Sequence, residues 1–386
     1  MDRATFDELW PESEGRRIEK ERQRMDLGGG LLAELDTYGG ELAGVAVVEV
    51  EFPSTAGARA FRPPAWFGRE VTGDRAWANQ SLATAGLPDR KGEFRLRAGE
   101  LPVPGVSRVI SARAAQAAAA VRRASAADDP ARDVHEARKS LKKARSALRL
   151  LRGVITEEER EAANAACRDA AGQLAGARDA EVKLATLELV TAGDSSPVVA
   201  EYREQLEREA AARREVLTPE GLAGVSELIE GVRERYRERN LPAAAGAVVA
   251  NLGRGYRRGR QNMKKARAGG EAEQFHDWRK RAKDLRYQLE ILESRLPESF
   301  SEMRARAETL AEKLGDLHDL DVLADDLGGR GFNPGQQQHL AGLLSDFRLI
   351  LAESCLELGA LTYRPGPRRF VKKLDSALGQ PGGSPR

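Results

Sequence analysis

The chain has 386 residues, 41% hydrophobic, 32% charged and 5% aromatic, with a formal net charge of +2. That length admits two or three domains, and a composition rich in Ala, Leu, Arg and Glu favours helices over a β-sandwich or a disordered chain. The near-neutral total excludes a globally basic protein, so an anion site has to come from local clustering.

Residues 1–86 carry three alternating runs, Arg16 to Met25, Leu31 to Tyr38 and Leu42 to Phe52, punctuated by Gly28-Gly29-Gly30 and Gly39-Gly40. This pattern predicts a small antiparallel β module with tight turns. Residues 87–105, with Pro88, Pro102 and Pro104, read as a linker into the next domain. From about Ser107 to Leu378 the chain reads as successive helices. Breaks are expected near Asp128 to Pro130, Gly193 to Pro197, Thr218-Pro219, Leu241-Pro242, Gly269-Gly270, Pro297 and Gly328 to Pro334. Residues 379–386, GQPGGSPR, read as a disordered tail.

The two cysteines, Cys167 and Cys355, both fall in helical segments, which argues against a disulfide framework and suits a reducing cytoplasm. The opening MDRATFDELWPESEGRR lacks the apolar stretch of a signal peptide, and the most apolar run, Leu241 to Leu252, is too short to span a bilayer. A soluble cytoplasmic protein is the expectation.

The helical zone contains an internal repeat. Val134 to Gly153 reads VHEARKSLKKARSALRLLRG, and Phe275 to Ser294 reads FHDWRKRAKDLRYQLEILES. His135 aligns with His276, Arg138 with Arg279, Lys139 with Lys280, Lys142 with Lys283 and Arg145 with Arg286. A second pair follows, LAGARDAEV from Leu174 and LGDLHDLDV from Leu314. The period exceeds that of a solenoid, so it marks a duplicated half-domain with halves at 106–240 and 241–378.

At roughly 100° per residue, His135, Arg138, Lys139, Lys142, Arg145 and Arg149 share one helix face, and Ala137, Leu141, Ala144, Leu148 and Leu151 the other. His276, Arg279, Lys280, Lys283 and Arg286 repeat the polar stripe, and Trp278, Ala282, Leu285, Leu289 and Leu292 the apolar one. Between residues 135 and 149 there are six Lys/Arg and one acid, Glu136. Such a row repels itself by a few tenths of a kcal/mol per pair, roughly, unless an anion joins it. A solvated basic face is the bland alternative, and duplication in the same register argues against it. A third basic stretch, NLGRGYRRGRQNMKKARA from Asn251, has seven Lys/Arg and no acid, with Arg257 and Arg260 as candidate contacts. Its glycines do not have the spacing of a dinucleotide fingerprint. Arg forks and Lys point charges in parallel rows suit a linear phosphate polyanion. The scarcity of interleaved aromatics weakens a single-stranded nucleic-acid reading.

The repeated H-[E/D]-x-R-K-x-x-K-x-x-R helices, with the later R-D-x-E-V and H-D-x-D-V elements, resemble the CHAD family over about residues 93 to 375, opening with FRLRAGE at Phe94. The resemblance implies a mainly α fold, a two-fold repeated helical bundle binding inorganic polyphosphate in a basic channel between its halves. His135, Arg138, Lys139, Lys142, Arg145, His276, Arg279, Lys280, Lys283 and Arg286 are the contacts it implies. The second copy departs at Glu290, where the first has Arg149, and at Asp284, which matches Lys143; His318 stands in place of Arg178. Asp179, Glu181, Asp319 and Asp321 read more readily as partners of these cations than as a metal site. No catalytic machinery is visible in this zone.

Residues about 13 to 86 resemble the C-terminal half of a CYTH (triphosphate tunnel) domain, through EGRRIEKERQRM, ELDTYGGELAGVAVVEVEF and PPAWFGREVTGDRAWANQSLATAG. In strand geometry Lys20, Arg22 and Arg24 share a face, as do Glu34 with Asp36 and Glu49 with Glu51. The resemblance implies that such rows bind triphosphate and a divalent metal, Mg²⁺ or Mn²⁺, with Glu49 and Glu51 as vestigial ligands. The family's opening Glu-x-Glu-x-Lys strand is not found before Arg16. The expectation is therefore a partial module and a non-catalytic polyphosphate binder associated with polyphosphate granules. The alternative is a metal-dependent inorganic triphosphatase or polyphosphatase.

Overall fold

The computed structural model describes residues 18–379 apart from 40–41, 43–44, 65, 69, 75–76, 86–89, 98, 127–129, 175–177, 193, 214–218 and 238. The chain divides into two compact units, residues 1–91 and 92–386. The expected tail beyond Gly379 and the segment searched for an opening strand lie outside the described residues.

In the first unit, β1 (Lys20–Gly28), β2 (Leu31–Tyr38) and β3 (Ala46–Val50) form an antiparallel sheet in the order β1-β2-β3. Gly28, Gly29 and Gly30 turn the first hairpin with φ of 79°, 63° and 80°. Side chains larger than hydrogen rarely adopt that left-handed backbone, which is why three glycines stand together. Two short helices follow, α1 (Thr55–Ala60) and α2 (Asn79–Ala85). Tyr38, Leu42 and Leu82 make a small core, and the Tyr38 hydroxyl donates to Asn79 Oδ1 at 2.9 Å.

The second unit is helical: α3 (Pro102–Ala126), α4 (Ala131–Leu148), α5 (Glu157–Gln173), α6 (Arg178–Val190), α7 (Pro197–Arg213), α8 (Pro219–Tyr236), α9 (Ala245–Gly269), α10 (Ala272–Leu292), α11 (Ser299–Leu327), α12 (Pro334–Thr362) and α13 (Pro367–Leu378). Every expected break is present. Three more occur: at 149–156 after α4, between Gln173 at the end of α5 and Arg178 at the start of α6, and at the Arg364–Pro367 connection before α13. Residues 92–101 differ from a free linker: Phe94 and Leu96 are buried, and Leu96 N–H donates to Ile291 O at 2.8 Å. Pro102 begins a helix here, because a first-turn proline lacks only an N–H that would have no helical partner anyway.

Helices α3, α4, α5 and α8 pack in a ring, as do α9, α10, α11 and α12, with α13 against α9. The duplication thus builds two four-helix bundles sharing one continuous apolar core. Helices α6 and α7 pack on each other, and α6 also packs against α11. Lys183 and the Tyr202 hydroxyl both reach Asp326, at 2.6 and 2.9 Å. The bundles meet where α4 contacts α10, so the two repeated helices lie at the join.

Candidate anion-binding site

Both repeated helices bury the faces that their periodicity assigns to the core. Ala137, Leu141, Ala144, Leu148 and Leu151 are buried on and after α4, and Trp278, Ala282, Leu285, Leu289 and Leu292 on α10. This packing fixes the helix rotation and turns the cationic stripes the other way. The stripes are not simple solvent faces: Arg138, Arg145, Arg279, Lys283 and Arg286 are half-buried, while Lys139, Lys142 and Lys280 are exposed.

The stripes come together at Lys283. Burial pushes its ammonium down to about 7, with Arg279 on its own helix and Lys142 on α4 adding to the effect. Asp319 on α11 opposes that shift. Burial also lowers Arg279, against the pull of Asp319, and its Nε is buried without a hydrogen-bond partner among the described residues. His276 Nδ1 lies 3.2 Å from His318 Nδ1, which places the leading His of the second stripe on the H-D-x-D-V element. Burial pushes His318 down to about 4, Arg279 and His276 adding to it, and lowers His276 as well. The result is a half-buried pocket of positive charge, flanked by Asp316 and Asp319 and holding two imidazoles whose proton affinity burial lowers.

Other stripe members are partly or wholly committed within the fold. Arg286 pairs with Glu308 and Glu312 of α11, and Lys280 with Asp277 at 3.1 Å. Arg145 donates to Asn164 Oδ1 at 3.0 Å, a neutral partner that leaves its charge uncompensated by that bond. His135, Arg138 and Lys142 each keep a polar or electrostatic partner in the structure. The side chains of Asp179 and Glu181 lie outside the described residues.

Arg149 is turned to a different use. It pairs with Asp284 at 3.2 Å, while Lys143 pairs with Glu290 at 2.9 Å. The two departures from the repeat are therefore the two ion pairs that join α4 to α10. Arg113 from α3 adds a second cation at Glu290, 2.9 Å away, and lies over the Phe94 ring at 3.6 Å. Burial, then Arg113, pushes Lys143 down to about 8. Against the desolvation of its own site, Lys143 and Arg113 hold Glu290 below the usual carboxylate range. Nothing in the sequence of α4 alone marks Arg149 or Lys143 as interface residues; the signal is the opposite sign at the matching positions.

Arg257 and Arg260 lie on α9 and not with the stripe. Gly255 and Gly269 bring α9 close to Gln288 and Gln274 of α10, where an added Cβ would lie 3.7 and 2.3 Å from their Oε1 atoms. At 100° per residue, Gln274 and Gln288 are on the side of α10 opposite Arg279 and Lys283.

In the first unit, the register sets Arg22 against Asp36, Arg24 against Glu34, and Glu34 against Glu49. Arg22 donates to Asp36 at 2.6 and 2.7 Å, to Glu34, and to Glu49 at 3.3 Å. Lys20 reaches the same fully buried Asp36 at 2.5 Å. Arg22, then Lys20, holds the Asp36 carboxyl down to about 2 despite its burial. These carboxylates have the hard oxygens that suit Mg²⁺ or Mn²⁺, but Arg22 engages three of them, so the arrangement does not fit a metal without moving that guanidinium. Glu51 follows β3 and is exposed. Among the described residues no group of three or more His, Cys, Asp or Glu is disposed to hold a metal, and no helix is long and apolar enough to cross a membrane.

The N-terminal region is similar to the inorganic triphosphatase of Nitrosomonas europaea, 49% identical over 83 residues, covering 22% of this chain and 55% of that protein. It is 38% identical to the inorganic triphosphatase of Acetivibrio thermocellus over 65 residues, covering 17% of this chain and 40% of the other. The chain thus spans about half the length of the curated relatives it matches. Among solved structures, PptA from Streptomyces chartreusis superposes with a TM-score of 0.50 at 13% identity, over 69% of this chain and 99% of that one. The CHAD domain from the plant Ricinus communis gives 0.48 at 18% identity, over 74% and 93%. The family model for the CHAD domain matches residues 108–328, the span that holds both repeated helices and the Lys283 pocket, and the chain belongs to the CHAD domain family.

Proposed function

We propose that the protein binds inorganic polyphosphate non-catalytically along the α4 and α10 stripes, in the cytoplasm and at polyphosphate granules. The observation that carries this reading is the Lys283 pocket, where burial and neighbouring cations depress an ammonium that an anion would restore. Keeping Arg279, Lys283 and Lys142 together is a cost to the folded chain alone, and a linear polyanion converts it into binding. The similarity to inorganic triphosphatases supports a phosphate ligand of the same chemical class. Reversing Arg138 and Lys142, or Arg279 and Lys283, to Glu is expected to weaken polyphosphate binding and flatten its salt dependence. Because Arg279 and Lys283 are half-buried, the Gln pair serves as a second variant that keeps the fold. Unchanged affinity in all of these folded variants would remove the site.

The same similarity favours a second reading, metal-dependent hydrolysis of tripolyphosphate or polyphosphate by the N-terminal unit. Arg22 bound across Asp36, Glu34 and Glu49 weighs against it. Phosphate release from tripolyphosphate with Mg²⁺ or Mn²⁺, abolished by Glu49→Ala, would establish the enzyme. Equal affinity for DNA and long-chain polyphosphate at matched salt would instead favour a nucleic-acid binder.

A further inference from the structure

A second surface is richer in exposed positive charge than the stripe itself. Helix α9 has no acidic residue over its 25 positions, and Arg257, Arg258, Lys264 and Lys265 on it are all exposed. Helix α13 packs against α9 and exposes Arg368, Arg369, Lys372 and Lys373, with Asp375 its one carboxylate. Among the described residues, none of these eight cations has a carboxylate within 4.0 Å. Their common platform is firmly made. Tyr256 stacks on Phe370 with ring centroids 3.9 Å apart and 5° between planes, and its hydroxyl donates to Pro365 O at 2.8 Å. At Gly253 a Cβ would sit 2.5 Å from Val371 Cγ2, so only glycine lets α13 lie this close.

Of the α9 cations, Arg257 and Lys264 lie on the side turned away from α10 and the Lys283 pocket, while Arg258 and Lys265 flank the α10 side. Helix α9 buries Tyr256, Gly259, Met263 and Ala266 and approaches α10 on its Gln274 and Gln288 side, opposite Arg279 and Lys283. The two basic surfaces therefore stand back to back across a layer of two helices, whose axes lie about 8–10 Å apart. We infer that the outer face of α9 and α13 is a second binding surface for a linear polyphosphate, so that one molecule grips two chain segments on opposite sides of the α9–α10 layer. This rests on the polyphosphate reading of the inner stripe.

The chemistry of the face selects the ligand. Both aromatics of the platform, Tyr256 and Phe370, are buried and stacked on one another, so nucleic-acid bases find no ring to stack on there. The apolar residues of α13, Phe370, Leu374 and Leu378, are spent on the core, so the helix has no apolar face to insert into a membrane. A phosphate chain needs neither, only cations in rows. Two such grips on one chain raise avidity by effective concentration, and on two chains they crosslink.

The test uses the full chain and three variants: an outer set, Arg257→Glu with Lys264→Glu, Arg369→Glu and Lys373→Glu; an inner pair, Arg279→Gln with Lys283→Gln; and the two combined. Titration calorimetry with a short polyphosphate should give two chains per protein for the parent, one for each separate variant and none for the combination. The outer set should lower the salt slope by about three, at about 0.7 for each phosphate no longer neutralised, as for a single strand. Light scattering with long-chain polyphosphate should show clustering for the parent only. A single site in the parent, or two sites retained by the outer set, would overturn the inference. An inner pair that still binds two chains would instead overturn the reading of the stripe. Loss of duplex DNA binding by the outer set, with polyphosphate stoichiometry untouched, would also refute the second surface as proposed.

Discussion

On the proposed reading, the Lys283 pocket ties polyphosphate binding to pH through the charge of one ammonium. Lys283 is held near 7 in the free protein, against its ordinary 10.5, by burial first and then by Arg279, Lys142 and Arg286, with Asp319 opposing. A polyphosphate segment beside it favours the charged form, so binding above pH 7 requires proton uptake. If the bound ammonium returns to its ordinary value, affinity falls as pH rises, by about thirtyfold between pH 6 and 8.5. Near pH 7.5 about 0.8 proton is taken up per chain bound, on the same two values. Of the other facing groups, burial pushes His318 down to about 4 and lowers His276 and Arg279, while Asp319 and Asp316 of α11 pull Arg279 the other way. Long chains are needed, because terminal phosphates gain charge near about pH 6 and would oppose the trend. Calorimetry in buffers of different ionisation enthalpy counts the protons directly. Lys283→Arg, whose guanidinium remains charged, should bind as well at pH 8.5 as at pH 7. A flat profile in the parent, or the same slope in Lys283→Arg, would refute the assignment of the proton to Lys283.

Three further outcomes follow from packing and charge. Glu290→Gln strands Lys143 and Arg113 without their carboxylate and should cost about 3–5 kcal/mol in urea unfolding; an unchanged midpoint would deny that carboxylate its role. Asp36 is held near 2, below its ordinary 3.8, so its contribution to the first unit is present above about pH 4 and lost as pH falls towards 2. Amide exchange in β1 and β2 should follow that loss, and Arg22→Gln should move it to higher pH; an unmoved transition would count against the pairing. At Gly359 an added Cβ would lie 2.4 Å from Trp278 Cζ2 and 2.9 Å from Met263 Sδ, so Gly359→Ala should destabilise by about 1–3 kcal/mol. An unchanged Tm would show that Trp278 yields.

Local signals carried most of the helical architecture. Proline and glycine marked seven of the breaks because they act on the backbone where they stand. The break after α4 was not read from the sequence, although Gly153, at φ 76°, and Thr156, whose hydroxyl accepts from Glu159 N–H at the start of α5, both mark it. The stripe itself was legible from periodicity, and so in principle was Lys280 with Asp277, three residues apart on one helix. Longer pairings were not. Glu308 and Glu312 neutralise Arg286 from α11, and His318 reaches His276 across 42 residues, pairings that only the bundle creates. In the first unit, strand alternation put Lys20, Arg22 and Arg24 on one face. It did not reveal that Asp36, Glu34 and Glu49 share that face through the register, and hence that Arg22 binds the carboxylates expected for a metal.

The charge differences between the two copies have a geometric logic. Where α4 meets α10, position 143 of the first copy faces 290 of the second, and 149 faces 284; yet 284 aligns with 143, and 290 with 149. The interface is thus reciprocal, as two-fold related surfaces require. Two identical copies of the first helix would set Lys against Arg at both ends, each a partly desolvated repulsion. Placing acids at both positions of one copy converts both repulsions to attraction at once, and no change confined to one end would do so. The remaining stripe positions, 138 with 279 and 142 with 283, keep their cations in both copies. Pairing across the join therefore does not demand their charge; around Lys283 the cations Arg279 and Lys142 gather with Asp319 of α11 set against them.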